Sequence, residues 1–522
     1  MLGLEKAPPL SETALFARAY ERWGTDLGRH VLGAWAYIAV DPGTGSVVTG
    51  RDAIGCQGIY FTRRGDTLEV ADDLVALIRD AQVAKCIDLA ALAQFGVGQK
   101  RDARTLYSGV QAVQPGHAIV FRRGREPAQH KLWDPREVAE IRYRSDAEYF
   151  AAFREVYGRA VARVMTPNTP TAVALSSGLD SGTVAALAVP TLRTQGRTLR
   201  AITWTPEVTR DELIKGRLRD ELDGVQALSD HFGGIDISRV RGFPVSPLTS
   251  LDAMLAACGQ PDYAIAGWAW YYNILHAAKG LGIARVVTGD MGNFTVSANT
   301  MGVPERRSAL TNRIINAVRD VRWARTGIPA DIKLLIKPRF VEHYTDAPVD
   351  PDLARRQQEA PQPFKAIYGL MMSGMSGTNR AIAASFGMDL AVPTLDREVM
   401  DFCFGLPPEQ FARKGEQRLL IRRAFSDLLP PSSLAKGPRG QPSSDLPFAI
   451  VAERDRIEER LARAKANPIA QEALDLPALQ RVGRDLMARP EDQLALHRSV
   501  FLMRGLTIAR FLEGVDDIAE AT

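Results

Sequence analysis

Cysteine is scarce in this 522-residue chain: Cys56, Cys86, Cys258 and Cys403 lie far apart and form no C-x-x-C pair. That spacing excludes a disulfide framework and a paired-cysteine zinc site, and it fits a reducing cytoplasm. Charge of one sign is missing as well. With 65 Lys+Arg against 61 Asp+Glu the formal net charge is only +4, and no basic block with interleaved aromatics stands out, so nucleic acid is not an expected partner. No apolar run is long enough to span a bilayer; the longest, 264–278, is broken by Asn273 and His276. The first residues include Glu5, Lys6, Pro8 and Pro9 and lack the apolar core of a secretory signal. There is no internal repeat and no low-complexity tract. What these absences leave is a globular cytoplasmic protein of two or three domains, with no membrane partner.

What is present concentrates in one stretch. Leu175-Ser176-Ser177-Gly178-Leu179-Asp180-Ser181-Gly182 sits between a β-like apolar run, 171–175, and a helix-like run, 183–188. A strand that turns through Ser and Gly into a helix leaves N–H groups of the turn and first helical turn without intrachain acceptors. Together with the helix dipole they favour a phosphate group. Ser176, Ser177 and Ser181 add hydroxyl donors, Gly178 lets backbone approach a ligand, and Asp180 offers Mg²⁺ a carboxylate. No Gly-Lys-Ser or Gly-Lys-Thr follows, which excludes a Walker A loop, and the Gly-x-Ser-x-Gly spacing of a nucleophile elbow is missing. The stretch resembles the S-G-G-L-D-S-S loop of N-type ATP pyrophosphatases, with Ser177 for a Gly and Gly182 for a Ser. That resemblance implies a site that splits ATP into AMP and pyrophosphate.

The chain divides near residue 140. Before it, a helix over 12–23 precedes strand-like runs at 34–40, 46–50, 59–61 and 118–121, with turn chemistry at Asp41-Pro42-Gly43-Thr44-Gly45: a small, mainly β domain. After it, a charged helix begins near Asp146, and 172–175, 200–204 and 284–287 read as buried parallel strands. Beyond about residue 360 the pattern is mostly helical as far as Ile508.

Trp35 to Val40, Gly50-Arg51-Asp52, Gly55, Ile59-Tyr60-Phe61 and Val113-Gln114-Pro115-Gly116-His117 resemble the second half of the glutaminase domain of asparagine synthetases. Thr288-Gly289-Asp290-Met291-Gly292-Asn293, Phe386-Gly387-Met388-Asp389 with Pro393, Asp396-Arg397 to Phe402-Cys403, and Arg439-Gly440-Gln441 with Asp445 resemble the synthetase domain of the same superfamily. The branch they resemble most is the lasso peptide cyclases. These macrolactam synthetases adenylate an Asp or Glu side chain of a precursor peptide and close it onto the peptide's own N-terminus. The implied fold is α/β: a truncated Ntn/glutaminase-like β-rich domain over 1–135, then an N-type ATP pyrophosphatase (adenine nucleotide alpha hydrolase-like) parallel-sheet synthetase domain over 145–522 with a helical C-terminal part. The resemblance also implies ATP and Mg²⁺ as cofactors, a precursor peptide as substrate, and a leader-binding protein and leader peptidase as partners.

Two departures shape the expectation. A glutaminase of this superfamily uses a cysteine immediately after the initiator methionine, whose freed amine serves its own thiol as base; here position 2 is Leu, and the match begins well inside the domain. A misplaced start codon would give the same appearance, but the chain as written is expected not to hydrolyse glutamine. Where asparagine synthetases read S-G-E-G-S-D-E, this chain has Asp290 at the first glutamate and Asn293 at the aspartate that helps hold Mg²⁺. The implied metal ligands are therefore Asp180, Asp290 and an Asn293 carbonyl oxygen, with the alternative that Asp290 and Asn293 only cap the next segment.

In the implied reaction a substrate carboxylate displaces pyrophosphate from ATP, and an amine then displaces AMP. Lys436 and Arg439 are the candidate cations, or else solvated surface charges, and Asp290 is the first candidate for general base. The adenine is expected against backbone at Leu175 and at Ile202 to Thr203, and Gly289 beside the phosphates. Trp268, Trp270, Tyr271 and Tyr272 either line the substrate pocket or pack a helix into the core; Asp262 and Asn273 share that ambiguity. His117, His231 and His276 have no partner at catalytic spacing and read as structural. The alternatives are a small-molecule amide synthetase, of β-lactam synthetase or ammonia-using asparagine synthetase type, a non-catalytic scaffold of the same fold, and a sulfur- or tRNA-modifying pyrophosphatase.

Overall fold

Ser11 and Gly24 bound the first helix by ordinary capping chemistry: the Ser11 hydroxyl accepts from the Ala14 amide at 3.2 Å, and Gly24, at φ 53°, ends the helix Glu12–Trp23. The computed structural model describes residues 11–79, 83, 86–96, 104–208, 220–262, 267–298, 335–345, 375–413, 416–435, 443–492 and 494–514. After the first helix come β1 (Ala36–Asp41), β2 (Ser46–Arg51), β3 (Tyr60–Arg64), β4 (Thr67–Ala71), β5 (Val110–Ala112), β6 (His117–Phe121) and β7 (Ala128–Lys131). They form two antiparallel sheets, ordered β1-β2-β6-β7 and β4-β3-β5. Side chains alternate between the faces of a strand. Val47, Ile119 and Phe121 accordingly meet Phe61, Leu68 and Val70 between the sheets. Their neighbours Val48 and Val120 join Trp35 and Tyr37 under Phe16, Tyr20 and Trp23 of the first helix.

The helix Asp146–Val164 opens the second part. Ser145 caps it, accepting from the Glu148 amide at 3.3 Å, while the Glu148 carboxylate accepts from the Arg144 amide at 3.0 Å. Tyr149, Phe153, Tyr157, Ala160 and Val161 recur at helical spacing and form its buried face. Phe153 is fully buried against Tyr157, Phe402 and Phe425, so its truncation to Ala would cost about 3–5 kcal/mol.

β8 (Thr171–Ala174), β9 (Arg200–Thr205), β10 (Asp236–Arg241), β11 (Arg285–Val287) and β12 (Asp389–Ala391) form a wholly parallel sheet ordered β10-β9-β8-β11-β12. The chain leaves β8 toward β9 and β10 on one side and returns to β11 on the other. A crevice for ligands therefore opens at the carboxyl ends of β8 and β11. The three strands read from sequence are the inner ones. β10 escaped because Asp236, Ser238, Arg239 and Arg241 give an edge strand no apolar run, and β12 because it has only three residues.

The chain division near residue 140 does not divide the core. Leu74, Leu77, Ile78, Leu92, Phe95, Leu106 and Tyr107 pack with Leu248, Leu251 and Phe511 in one cluster. The Tyr107 hydroxyl donates to the Gly259 carbonyl, and the Leu106 amide to Gln260 Oε1 at 3.0 Å. A second contact places Ile54, Cys56 and Trp133 against Met291, Leu395, Met400 and Phe404. Trp133 Nε1 donates to Asp401 at 2.7 Å there. The N-terminal part therefore touches Met291, the neighbour of a candidate site residue. No helix among the described residues is long and apolar enough to cross a membrane.

Candidate active site

β8 ends at Ala174, and the chain turns through Leu175, Ser176 and Ser177 to Gly178, the extended N-cap of the helix Leu179–Thr194. The serines tie this turn to itself as well as presenting donors. The Ser181 hydroxyl accepts from the Ser176 amide at 3.1 Å and lies 2.9 Å from the Ser176 hydroxyl, which accepts from the Gly178 amide at 3.2 Å. Two of the three expected hydroxyl donors thus shape the loop. The Ser177 amide donates to the Glu221 carboxylate at 3.1 Å, which places a negative side chain against the turn. Gly224 makes that contact possible: a Cβ there would lie 2.5 Å from Ser177 Cβ. Sequence reading missed Glu221, which is 44 residues away and marked only by its place at the start of the helix Leu222–His231.

The loop after β11 closes over this turn. A Cβ at Gly289 would lie 2.5 Å from the Ser181 amide nitrogen, and one at Gly292 would lie 2.5 Å from Asp180 Cγ. Only glycine lets backbone come so close, so the juxtaposition of Asp180 with Asp290 is built by the two residues that flank it. Asp290 has its carboxyl pushed above the usual range, first by burial and further by the Asp180 charge, with a hydrogen bond from Thr288 acting the other way. The Thr394 hydroxyl donates to the Asp290 carbonyl and fixes the loop from the β12 side.

Asn293 Oδ1 accepts from Arg418 Nη2 at 2.8 Å, a contact that the sequence did not indicate. The Leu175 amide donates to the Ile202 carbonyl at 3.0 Å. Thr203 is buried in β9, and its hydroxyl has no hydrogen-bond partner among the described residues. Lys436 and Arg439 lie outside the described residues. Arg418 gave no signal beyond heading the run Leu419-Leu420-Ile421.

Backbone strain clusters here. Among the described residues, Met291 (φ 61°), Arg418 (φ 56°) and Ser443 (φ 61°) are the non-glycine residues in the left-handed region. Each costs about 1–2 kcal/mol. Met291 follows Asp290, Arg418 holds Asn293, and Ser443 precedes Asp445, whose carboxylate accepts from the Glu207 amide just beyond β9 at 2.8 Å. Such strain persists where surrounding contacts over-determine the backbone.

The aromatic run belongs to the core: Tyr271 is buried, and Trp268, Trp270 and Tyr272 pack against the large cluster around the helix Ala269–Gly280. The Tyr271 hydroxyl is pushed well above the usual range by burial and by the Asp290 charge. Asn273 is structural, bridging the Val245 amide and carbonyl and the Ala269 carbonyl at 2.7–2.9 Å. Asp262 accepts from the Thr378 hydroxyl at 3.2 Å. His117 and His231 lie against backbone carbonyls and His276 beside the Phe386 ring.

The donor set suits Mg²⁺ only in part. Asp180 and Asp290 are two hard carboxylates pressed close enough to disfavour each other's charge, which a divalent cation relieves. No cluster of three or more His, Cys, Asp or Glu able to hold a metal occurs among the described residues, so water and nucleotide phosphates would complete the shell.

A parallel sheet with a Ser/Gly turn and two carboxylates at its switch point defines an α/β domain, here preceded by a two-sheet domain. Residues 152–499 match the asparagine synthase family, and residues 8–133 match the glutamine amidotransferase domain. The chain belongs to the asparagine synthase family. It is 24% identical over 190 residues to "Asparagine synthetase [glutamine-hydrolyzing] 3" of Bacillus subtilis, covering 36% of this chain and 30% of the relative. It is 28% identical over 181 residues to "Amidase chry2" of Gibberella zeae, covering 34% and 26%. "Amidase chyE" of Penicillium rubens is 25% identical over 186 residues, covering 35% and 27%. The chain thus spans less than a third of the length of these curated relatives.

Proposed function

We propose that the protein is an AMP-forming amide ligase that closes a precursor peptide into a macrolactam, as lasso peptide cyclases do. The observation that carries the adenylation step is the approach of Gly289 and Gly292 to the first turn of the helix Leu179–Thr194, which sets Asp180 and Asp290 beside an anion cradle. A substrate carboxylate oxygen attacks the α-phosphorus of ATP. The new O–P bond forms as the bond to the bridging oxygen breaks, and pyrophosphate leaves with the electron pair. First-turn N–H groups of that helix stabilise the developing charge. Mg²⁺ held by Asp180 and Asp290 would supply further charge neutralisation on the phosphate oxygens. The substrate amine then forms the C–N bond, AMP leaves, and the amine proton passes to a base. Asp290, beside the cradle, is the first candidate for that base.

In this reading the amine arrives with the substrate. Work beside a leader-binding protein and a leader peptidase in the cytoplasm belongs to the same proposal. A second reading, a small-molecule amide synthetase, is favoured by the match of residues 8–133 to the glutamine amidotransferase domain.

The test is mass spectrometry of a linear peptide encoded beside the gene, incubated with ATP, Mg²⁺ and the companion proteins, for the wild type and Asp180→Ala. Loss of one water with AMP release, both abolished in the variant, is the expected result. An unchanged peptide together with AMP release from aspartate and ammonium would replace this reading with the second, and silence in both assays would point to the scaffold.

A further inference from the structure

We propose that the groove between the helices Arg454–Ala466 and Leu476–Ala488 docks an acidic amphipathic helix of a partner protein. The inference does not rest on the adenylation reading, because the groove shares no residue with the candidate active site. Each helix has 13 residues and is about 20 Å long. Both pack on the helix Ala495–Leu512 and against each other. Ile457 and Leu461 of the first and Leu479, Val482 and Leu486 of the second enter the same core as Phe501, Leu502 and Leu506. Outside that core the two helices leave a groove of about 650 Å³. Leu461, Gly483 and the half-buried Met487 line it, and Ala462 and Ala488 are small and exposed along it. Two adjacent helices with an apolar floor between them present the shape that a third helix fills by ridges-into-grooves packing.

Charge decides which kind of helix fits. Arg454, Lys465 and Arg484 line the groove against one acid, Glu458, and none of these four side chains forms an ion pair among the described residues. The same helix supplies the comparison. Residues 454, 458, 461 and 465 share one face at helical spacing, and 456, 460 and 463 share the other. On that other face Arg456 is held by Glu453 at 2.5 Å, Arg460 by Asp252 at 2.7 Å and Arg463 by Glu459 at 2.7 Å. Its arginines are matched within the chain, whereas the cations of the groove are left over, two from one wall and one from the other. An occupant with an apolar stripe flanked by Glu or Asp satisfies both the floor and the rim. A second copy of this chain would bring its own cations to the same place in an isologous contact, and nucleic acid would use the cations but not the apolar floor.

The experiment is fluorescence anisotropy of three labelled peptides titrated with the full chain: an amphipathic one of Leu, Ala and Glu with Leu at i, i+3, i+4 and i+7, its scrambled form, and a form with Lys for each Glu. The proteins are wild type, the triple reversal Arg454→Glu, Lys465→Glu and Arg484→Glu, the groove-filling Ala462→Trp, and a second triple reversal, Arg18→Glu, Arg122→Glu and Arg125→Glu, at exposed positions of the N-terminal part, which changes the net charge equally. Wild type is expected to bind the acidic amphipathic peptide about tenfold or more tightly than either other peptide. The groove reversal should weaken that binding by about tenfold or more and Ala462→Trp by about fivefold, while the distant reversal changes it by less than about threefold. The docking site is overturned if wild type does not distinguish the amphipathic peptide from its scrambled form, if the two reversals lose binding equally, or if Ala462→Trp binds as wild type does. Sedimentation of the same proteins covers the remaining occupant: a wild-type dimer that Ala462→Trp abolishes would give the groove to a second copy and refute the proposal.

Discussion

Replacing Gly289 by alanine tests whether backbone proximity, not side-chain chemistry alone, builds the site. The added Cβ would lie 2.5 Å from the Ser181 amide nitrogen, 2.7 Å from the Asp180 carbonyl carbon and 2.9 Å from Ser181 Cα. All three atoms are backbone of the first helical turn, so no rotamer change relieves the clash. Reaching ordinary contact near 3.4 Å requires the two loops to part by about 0.9 Å. A displacement of about 1 Å in a positioned site costs on the order of 10²-fold in rate, and overpacking costs about 1–3 kcal/mol of stability. Carboxylate-dependent exchange of labelled pyrophosphate into ATP is therefore expected to fall about 100-fold, with the melting temperature down by only about 5 °C. Gly158→Ala is the control. It lies inside the helix Asp146–Val164 with nothing within 4 Å of a new Cβ, and should gain about 0.5–1 kcal/mol of stability at unchanged exchange. Wild-type exchange in Gly289→Ala, or an equal loss in Gly158→Ala, would refute the reasoning.

Further outcomes follow from contacts away from the cradle. Asp389 holds Arg285 at 2.7 Å and Arg380 at 2.6 Å; Asp389→Ala leaves two partly buried guanidinium groups without it. With 31% of the Asp389 side chain exposed, chemical denaturation should show a loss nearer about 1–3 kcal/mol than that of a fully buried pair. Asp134 is held by Arg136 at 2.5 Å and has its carboxyl lowered to about 2, first through that hydrogen bond. A depressed folded pKa contributes stability that is complete above the unfolded value of 3.8 and is lost as pH falls toward 2, so Asp134→Asn should flatten the acid limb of the stability curve in that window. Removal of residues 1–135 would strip Leu74, Leu92 and Tyr107 from the core they share with Leu251 and Phe511, and is expected to give insoluble protein; a soluble, monomeric remainder would show that the shared cluster is dispensable.

The sequence by itself determined what depends on neighbours along the chain. Ser11 and Gly24 set both ends of the first helix, because capping acts within one turn. The strand–turn–helix through Ser176–Ser181 was legible because its serines and glycine are consecutive between two apolar runs. The inner strands were legible because burial on both faces leaves an apolar run, whereas the polar edge β10 and the three-residue β12 were not. The tertiary structure decided whatever needed two distant segments to meet. It set Glu221 on the Ser177 amide, Arg418 on Asn293, and Gly289 and Gly292 on the Asp180 turn. It also gave residues 74–110 a core in common with the C-terminal helices, across a boundary that composition alone draws near residue 140. The physical reason is range: helix caps and strand patterns are local in sequence, while a charge finds its partner, and a glycine its reason, only across the folded interior.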